Sequence, residues 1–287
     1  MMSLKIIIDS TAGYSPEELE QLDLTAVPLA ITMDGREYQD GVDLSPQEFY
    51  QKLAYTKSTP VTGKVDSLIF EHLFSFRLEE ADEVVAILLS GSLSGTCEAA
   101  REARERLVGP ERIHIVDTGS VSMGSMVLIN EAVRLRHLGV SGEEMARTLE
   151  SLKGRLRMLA VTGSRKCLRR SGKLTGGSEM LDKLFSRKPV VRLTQGTLSV
   201  ESQPRGEEAA CQWIAAAMAR EGVDPAFPPV LGSAQAPELT SRLAGYLEKV
   251  PGVGACGRCE IGPAIGSYIG PGSAGVAWIV PEKQGNG

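Results

Sequence analysis

Hydroxyl side chains follow three of the predicted strands directly, at the points where the strands end. They are Ser10 and Thr11 after the first strand, Ser90, Ser92, Ser94 and Thr96 after an apolar strand over 83–89, and Thr118, Ser120 and Ser122 after a strand over 112–117. In an open α/β sheet, ligands bind at the carboxyl ends of the strands. Hydroxyls in one loop could simply cap a helix, but three such loops at one edge predict a binding site.

The same edge suits an anionic group. The hydroxyls after the strand over 83–89 open a helix predicted over 94–108. The N-terminus of a helix offers free N–H groups and a positive dipole end, which favour a carboxylate or a phosphate. A buried carboxylate needs several such donors, because leaving it without partners would be costly. The pattern therefore predicts a site for an anionic head group near Ser94.

A second feature is a glycine-rich segment near the C-terminus. Gly262, Gly266 and Gly270 recur at a spacing of four, which places them on one face if the segment is helical. Because glycine has no side chain, something must approach this face closely. Another stretch of backbone and a bound ligand both stay open as interpretations. Ser267 and Tyr268 lie in the same segment and are candidate ligand-binding residues.

The motifs of known catalytic and metal sites are incomplete in this sequence. The segment 91–95 has leucine where a nucleophile elbow has its serine. Gly63-Lys64 and Gly172-Lys173 lack the flanking residues of a P-loop. Cys256-Gly-Arg-Cys259 has no second cysteine pair, and its surroundings are typical of a strand end, so we expect inert thiols. We expect neither catalytic residues nor a metal.

Strands and helices alternate through the first half of the chain, which is typical of βαβ units around a parallel sheet. Leu4–Ile8 and 25–33 are predicted strands, and Ser15-Pro16 and Ser45-Pro46 are predicted helix starts. Asp34-Gly35 predicts a hairpin turn.

The second half has a different pattern. Strands near 189–194 and 197–201 flank Gln195-Gly196 as a hairpin, and strand–loop–strand is expected from Cys256 to Val280. We predict an α/β fold of two domains, with a ligand cavity at the strand ends or between the domains. An N-terminal parallel-sheet domain spans 1–155, and a C-terminal α+β domain with a mixed sheet spans 156–287.

Composition excludes several functional classes. The 287 residues carry 31 basic and 36 acidic side chains, and this net charge of −5 does not suit binding to nucleic acid. Because 42% of the residues are hydrophobic, the chain is not wholly disordered. No stretch approaches the roughly 18 apolar residues of a membrane span, and no signal peptide is recognisable, so we expect a cytoplasmic protein. The low aromatic content, 5%, favours an aliphatic cavity.

Six ordered blocks carry a resemblance to the DegV family of bacterial lipid-binding proteins, over essentially the whole chain. The blocks are 7–12, 28–29 with 34–38, 40–43 running to 48–50, Leu93-Ser94-Gly95-Thr96, 116–117 with 122–124, and 261–263 through 270–272. The resemblance implies a two-domain α/β protein that holds one long-chain fatty acid. It also implies that the protein presents the carboxyl group to a fatty acid kinase and is not itself the catalyst.

The resemblance also implies roles for residues. The carboxylate would be held near Ser94, Gly95 and Thr96 and by Thr62, with no cofactor beyond the fatty acid. The hydroxyl and glycine patterns add Ser10, Ser122, Ser267 and Tyr268 as ligand-binding candidates. Two cations, Lys173 and Arg205, would face the kinase, or they are simply surface charges.

Three segments depart from the family pattern. Members often have Thr-Ser-Gln-Pro-Ser where this chain has Thr62-Gly63-Lys64-Val65-Asp66, and commonly Gly-Gly-Arg-Ile where it has 171–174. They usually carry histidine where this chain has Tyr268, a phenol that stays neutral from pH 5 to 8. Lys64 is then the nearby cation that we nominate for the head group.

Two other functions remain open. An enzyme acting on a small acyl or phosphorylated substrate could use the same sheet edge. A structural protein could bind a lipid only incidentally. The absence of a recognisable base, nucleophile or metal cluster near Ser94 in the sequence favours a carrier.

Overall fold

The computed structural model describes residues 3–170, 172, 174 and 187–282. In chain order the strands are β1 (Leu4–Asp9), β2 (Leu24–Val27), β3 (Ala30–Met33), β4 (Arg36–Gln39), β5 (Val61–Thr62), β6 (Glu83–Leu88), β7 (Ile113–Asp117), β8 (Leu156–Val161), β9 (Val190–Thr194), β10 (Thr197–Ser202), β11 (Val230–Ala234), β12 (Gly257–Glu260) and β13 (Ser273–Ile279). The α-helices are α1 (Pro16–Gln21), α2 (Pro46–Leu53), α3 (Ser67–Glu80), α4 (Thr96–Arg106), α5 (Met123–His137), α6 (Gly142–Lys153), α7 (Arg165–Arg170), α8 (Gly206–Glu221), α9 (Pro237–Leu247) and α10 (Pro263–Ile269).

The first half of the chain builds a four-stranded parallel sheet with the order β2-β1-β6-β7. Strand β6 is buried along its whole length, as its continuous apolar sequence predicts for a strand covered on both faces. Ser15 and Ser45 each cap a helix in a capping box, with Glu18 and Glu48 as the third helical residues. The predicted parallel sheet and these two helix starts are confirmed.

The second half builds a six-stranded mixed sheet with the order β10-β9-β8-β13-β11-β12. Only β11 and β12 pair in parallel among its described strands; the other neighbours are antiparallel. Gln195 and Gly196 join β9 to β10 with positive φ angles of 46° and 76°, as a tight hairpin requires. The α/β fold with a parallel and a mixed sheet is confirmed, while the boundary between 155 and 156 remains a prediction.

Helix α5 connects the two sheets. It contacts β1 and β6 of the parallel sheet and β8, β11 and β13 of the mixed sheet. Eleven of its fifteen residues are buried, which is the behaviour of a helix with no solvent face along most of its length. One apolar core therefore extends from the parallel sheet through α5 to the inner face of the mixed sheet.

Two predicted elements are wrong in detail. The single strand predicted over 25–33 is two strands, because β2 belongs to the parallel sheet and β3 to a small sheet of order β4-β3-β5. Pro28 lies at the break, where it supplies no backbone N–H for a ladder. The loop expected between the last two strands contains α10, which begins at Pro263 after an extended Gly262.

Candidate functional site

A cavity of about 390 Å³ lies between the two sheets, within the size range of small-molecule sites. Fourteen of the twenty described residues that line it are apolar. They come from both halves of the chain and include Leu89, Val121 and Met123 from the first half and Met158, Ala160, Leu193, Leu198, Ile265 and Ile269 from the second. Most of these side chains are buried, so the inner part of the cavity is aliphatic.

The remaining lining residues are Thr62, Gly63, Lys64, Ser94, Gly95 and Tyr268, and they form a polar rim. All six are partly or largely exposed, whereas most of the apolar lining residues are buried. The Thr62 Oγ1 and Tyr268 Oη atoms are 2.5 Å apart, so the two hydroxyls share a hydrogen bond. The cavity thus has an apolar interior and one polar end that reaches solvent.

Ser94 stands on the loop that leads from β6 into α4. Its Oγ accepts from the backbone N–H of Thr96 at 3.3 Å and lies 2.9 Å from Thr96 Oγ1. Gly95 is the N-cap of α4, and no acceptor among the described residues is bonded to its backbone N–H. The positive end of α4 therefore lies beside a hydroxyl at the rim, as the sequence predicts.

Lys64 brings a positive charge to the rim. Its side chain lies across Gly95, since its Cδ atom is 3.0 Å from where a Gly95 Cβ would be. Among the described lining residues it is the only cation. No described carboxylate forms an ion pair with its ammonium group. An anion at the rim would therefore find Lys64 available.

Four predicted ligand-binding residues do not line this cavity. The hydroxyl of Ser10 donates to Asp40 at 3.0 Å, and that of Ser267 donates to the Ala264 carbonyl within α10 at 2.8 Å. Ser122 is buried, with its Oγ 3.3 Å from Cys259 Sγ. Thr96 is buried behind Ser94 and accepts from the Val65 N–H at 3.3 Å. These side chains support the walls, and direct ligand contacts by them remain predictions.

Helix α10 has two different faces. Its glycine face is covered by protein side chains: a Cβ on Gly266 would lie 2.5 Å from Tyr50 Oη, and one on Gly270 would lie 2.4 Å from Ser164 Cβ. The opposite face, with Ile265, Tyr268 and Ile269, lines the cavity. The close approach is thus made by side chains, rather than by the backbone or ligand considered from the sequence.

The predicted partner-facing cations have different outcomes. Arg205 is exposed at the N-cap of α8. Lys173 lies outside the described residues.

The Cys256–Cys259 pair does not open a helix: both cysteines are free, and burial raises the pKa of Cys259 to about 12. Its thiol is therefore protonated and unreactive at neutral pH.

Two buried carboxyl groups behind the cavity wall were not singled out from the sequence. Asp9 accepts from the Leu89 N–H at 2.6 Å, and burial raises its pKa. Asp40 accepts from Ser10, and burial raises its pKa to about 7. In the sequence, Asp40 belongs only to the family block 40–43, and its burial arises from tertiary packing.

The chemistry available at the cavity is limited to its rim. Among the described lining residues there is no aspartate, glutamate, histidine or cysteine. The described part of the chain contains no cluster of potential metal ligands, and none of its helices is both long enough and apolar enough to cross a bilayer. The rim can donate hydrogen bonds and offer positive charge to an anionic group.

Comparison with known proteins places this arrangement in a family. The model of the DegV family, described as "Uncharacterised protein, DegV family", matches residues 3–281. A DegV domain-containing protein of Caldanaerobacter subterraneus subsp. tengcongensis is 30% identical over 277 residues, covering 96% of this chain and 98% of its own.

Solved structures agree with the fold. A DegV family protein from Thermus thermophilus, described as binding fatty acid, is 26% identical with a TM-score of 0.88 and covers 98% of this chain and 100% of its own. A DegV family protein from Ruminococcus gnavus, refined with vaccenic acid, is 22% identical with a TM-score of 0.88 and covers 96% and 100%. The chain belongs to the DegV family.

Proposed function

We propose that the protein binds one long-chain fatty acid, with the acyl chain in the cavity and the carboxylate at the rim. The observation that carries this proposal is the division of one cavity into an aliphatic interior and a hydroxyl-rich, positively charged end. Fatty acid binding by the related Thermus thermophilus protein supports it. The protein would hold its ligand without transforming it, since the described lining residues include no carboxylate, imidazole or thiol to act as a base or nucleophile.

The acyl chain would supply most of the binding free energy. Transfer of each methylene from water into an apolar interior contributes about 0.8 kcal/mol, so a long chain gains on the order of 10 kcal/mol before the cost of ordering it. Leu193, Leu198 and Ile269 are flexible or branched aliphatic residues that fit an alkyl chain. The scarcity of aromatic rings argues against a flat, stacked ligand.

The carboxylate would be held by several donors. Thr96 Oγ1 accepts from Val65, so its own proton can be donated to Ser94 Oγ, which leaves the Ser94 proton for the ligand. In the Thr62–Tyr268 pair one hydroxyl likewise donates its proton to the other, and the proton of the accepting hydroxyl remains for the ligand. The Gly95 N–H and the Lys64 ammonium would add a backbone donor and a counter-charge.

Native mass spectrometry of protein purified from its own host tests the proposal. A co-purified fatty acid of narrow mass distribution is the expected result. A protein that neither carries nor takes up fatty acid would overturn it. Turnover of an added acyl or phosphorylated compound would instead favour an enzyme, and a broad mixture of lipids would favour incidental binding.

Replacing Ser94 tests the head-group assignment. Ser94→Ala should weaken fatty acid binding by about 1.5–3 kcal/mol, the contribution of a hydrogen bond to a charged group. Titration calorimetry measures the change. Ser92→Ala is the matched control, because Ser92 is in the same loop but does not line the cavity. Equal affinities of the Ser94 variant and the wild type would remove Ser94 from the site.

We also propose that the carrier presents the carboxyl group to a fatty acid kinase in the cytoplasm. The family resemblance supports the partner, and five free cysteines suit a reducing compartment. Charge reversal of Lys173 and Arg205 together should slow phosphorylation of bound fatty acid and leave its binding intact. Reversal of the exposed Arg147 on α6 is the control. Loss of binding in the double variant would assign these cations to the pocket instead.

A further inference from the structure

Asp40 joins α10 to the first half of the chain. It follows β4, and only 3% of its surface is exposed. Its Oδ2 accepts from Ser10 Oγ at 3.0 Å, and a Cβ on Gly262 would lie 3.2 Å from its Oδ1. The backbone N–H of Ala264 is the other donor near the carboxyl group. Gly262, the N-cap residue of α10, has no side chain to cap the helix, and the Asp40 carboxyl group lies beside this end of it.

A second contact holds the same segment. The Tyr50 hydroxyl on α2 donates to the Ile261 carbonyl at 2.7 Å, and the rings of Phe49 and Tyr50 cover Gly266. Both contacts act on the side of α10 that faces away from the cavity. Because α10 is one short helix, contacts that hold this side of it also fix its opposite side, where Tyr268 is hydrogen-bonded to Thr62.

We infer that Asp40 is a positioning residue that docks α10, and with it Tyr268, against the N-terminal half of the molecule. The inference rests on the proposed function for its effect on fatty acid binding. Its effect on the docked helix does not depend on any ligand. Asp40 would not touch the fatty acid, because it does not line the cavity.

The charge on Asp40 makes the docking depend on pH. Burial raises its pKa to about 7, and the nearby Asp9 carboxyl group acts in the same direction. The other titratable groups are Tyr50, whose pKa is also raised by burial, and beyond it Cys259 and Glu260 on β12 and Cys167 on α7. None of these neighbours is a cation, so within the described part of the chain no ion pair compensates the buried charge.

The direction of the pH dependence follows from linkage. In water an aspartate carboxyl group has a pKa near 3.9, so closing α10 over Asp40 takes up a proton between about pH 4 and pH 7. The docked helix is therefore favoured as the pH falls through this range and is weakened as the pH rises.

Thermal unfolding without ligand tests the docking directly. Asp40→Asn keeps an acceptor for the Ala264 N–H and removes the charge. At pH 5, where Asp40 is protonated, the variant and the wild type should have similar Tm values. At pH 8 the variant should have the higher Tm, by roughly 5–10 °C. An equal Tm difference at both pH values would overturn the inference that the protonation of Asp40 governs the docking of α10.

Fatty acid binding provides the second measurement, with palmitate as the probe. The ratio of the palmitate affinity of the wild type to that of Asp40→Asn should be roughly fivefold higher at pH 6 than at pH 8. Taking this ratio cancels the ionisation of palmitate itself, which affects both proteins equally. Tyr50→Phe, which removes the other contact without changing charge, should keep the wild-type pH profile. Identical profiles for Asp40→Asn and wild type would exclude an effect of the Asp40 charge on the position of α10. If no protein binds palmitate, the proposed function fails, and the Tm comparison still decides on the docking.

Discussion

Ala160→Phe is expected to reduce the affinity for a long-chain fatty acid by about 100-fold. Ala160 is buried in β8, and its side chain lines the aliphatic part of the cavity. Beside it, Gly275 of β13 is the register partner of Ala160, and a Cβ there would lie 2.8 Å from Ala160 Cβ. Because Ala160 lines the cavity, a phenyl ring at this position would extend into the space proposed for the acyl chain. Displacing about four methylenes of the acyl chain costs about 3 kcal/mol, which corresponds to this loss of affinity.

Chain length separates this effect from general damage to the fold. Octanoate fills less of the cavity, so its weaker binding should change less than that of palmitate. Ala54→Phe is the matched control: Ala54 is exposed at the end of α2 and is not part of the lining. Calorimetric titration of both fatty acids into wild type and both variants gives the comparison. Unchanged palmitate affinity in the Ala160 variant would mean that the acyl chain lies elsewhere.

The sequence predicted the sheet edge well, because the relevant information there is local. An apolar strand, a hydroxyl-rich loop and a helix start follow one another around Ser94, and each has its own composition. The same logic led to Ser10 and Ser122, which end strands in the same way but point to Asp40 and Cys259. A hydroxyl after a strand predicts the edge of the sheet, and only the loop geometry decides which hydroxyls reach the cavity.

Contacts between distant parts of the chain could not be read from the residues alone. Thr62 and Tyr268 are 206 positions apart and form one hydrogen bond; the family resemblance nominated Thr62, and the glycine-rich segment nominated Tyr268. Asp40 belonged only to the family block 40–43 in the sequence, since its burial depends on α10 packing over it. The spacing of Gly262, Gly266 and Gly270 correctly indicated a close approach, but the identity of the approaching group is a tertiary property.

The same substitution at two helical glycines should have opposite effects on stability. Gly245 lies in α9 with open space around the position of a Cβ, so Gly245→Ala should stabilise the protein by about 0.5–1 kcal/mol through helix propensity. Gly266 lies in α10, where a new Cβ would be 2.5 Å from Tyr50 Oη and 2.9 Å from Tyr50 Cζ. Overpacking there should destabilise by about 2 kcal/mol net of the propensity gain.

The Tyr50 ring has little freedom to yield to a Gly266 side chain. Its hydroxyl is bonded to the Ile261 carbonyl, and its edge rests against Phe49 at a centroid distance of 5.1 Å. The strain would then move α10 itself, which pulls Tyr268 away from Thr62 and weakens fatty acid binding as well as stability. Denaturant unfolding and palmitate titration of both alanine variants measure the two effects. If Gly266→Ala unfolds like Gly245→Ala, the glycine face is not tightly packed and cannot position the rim.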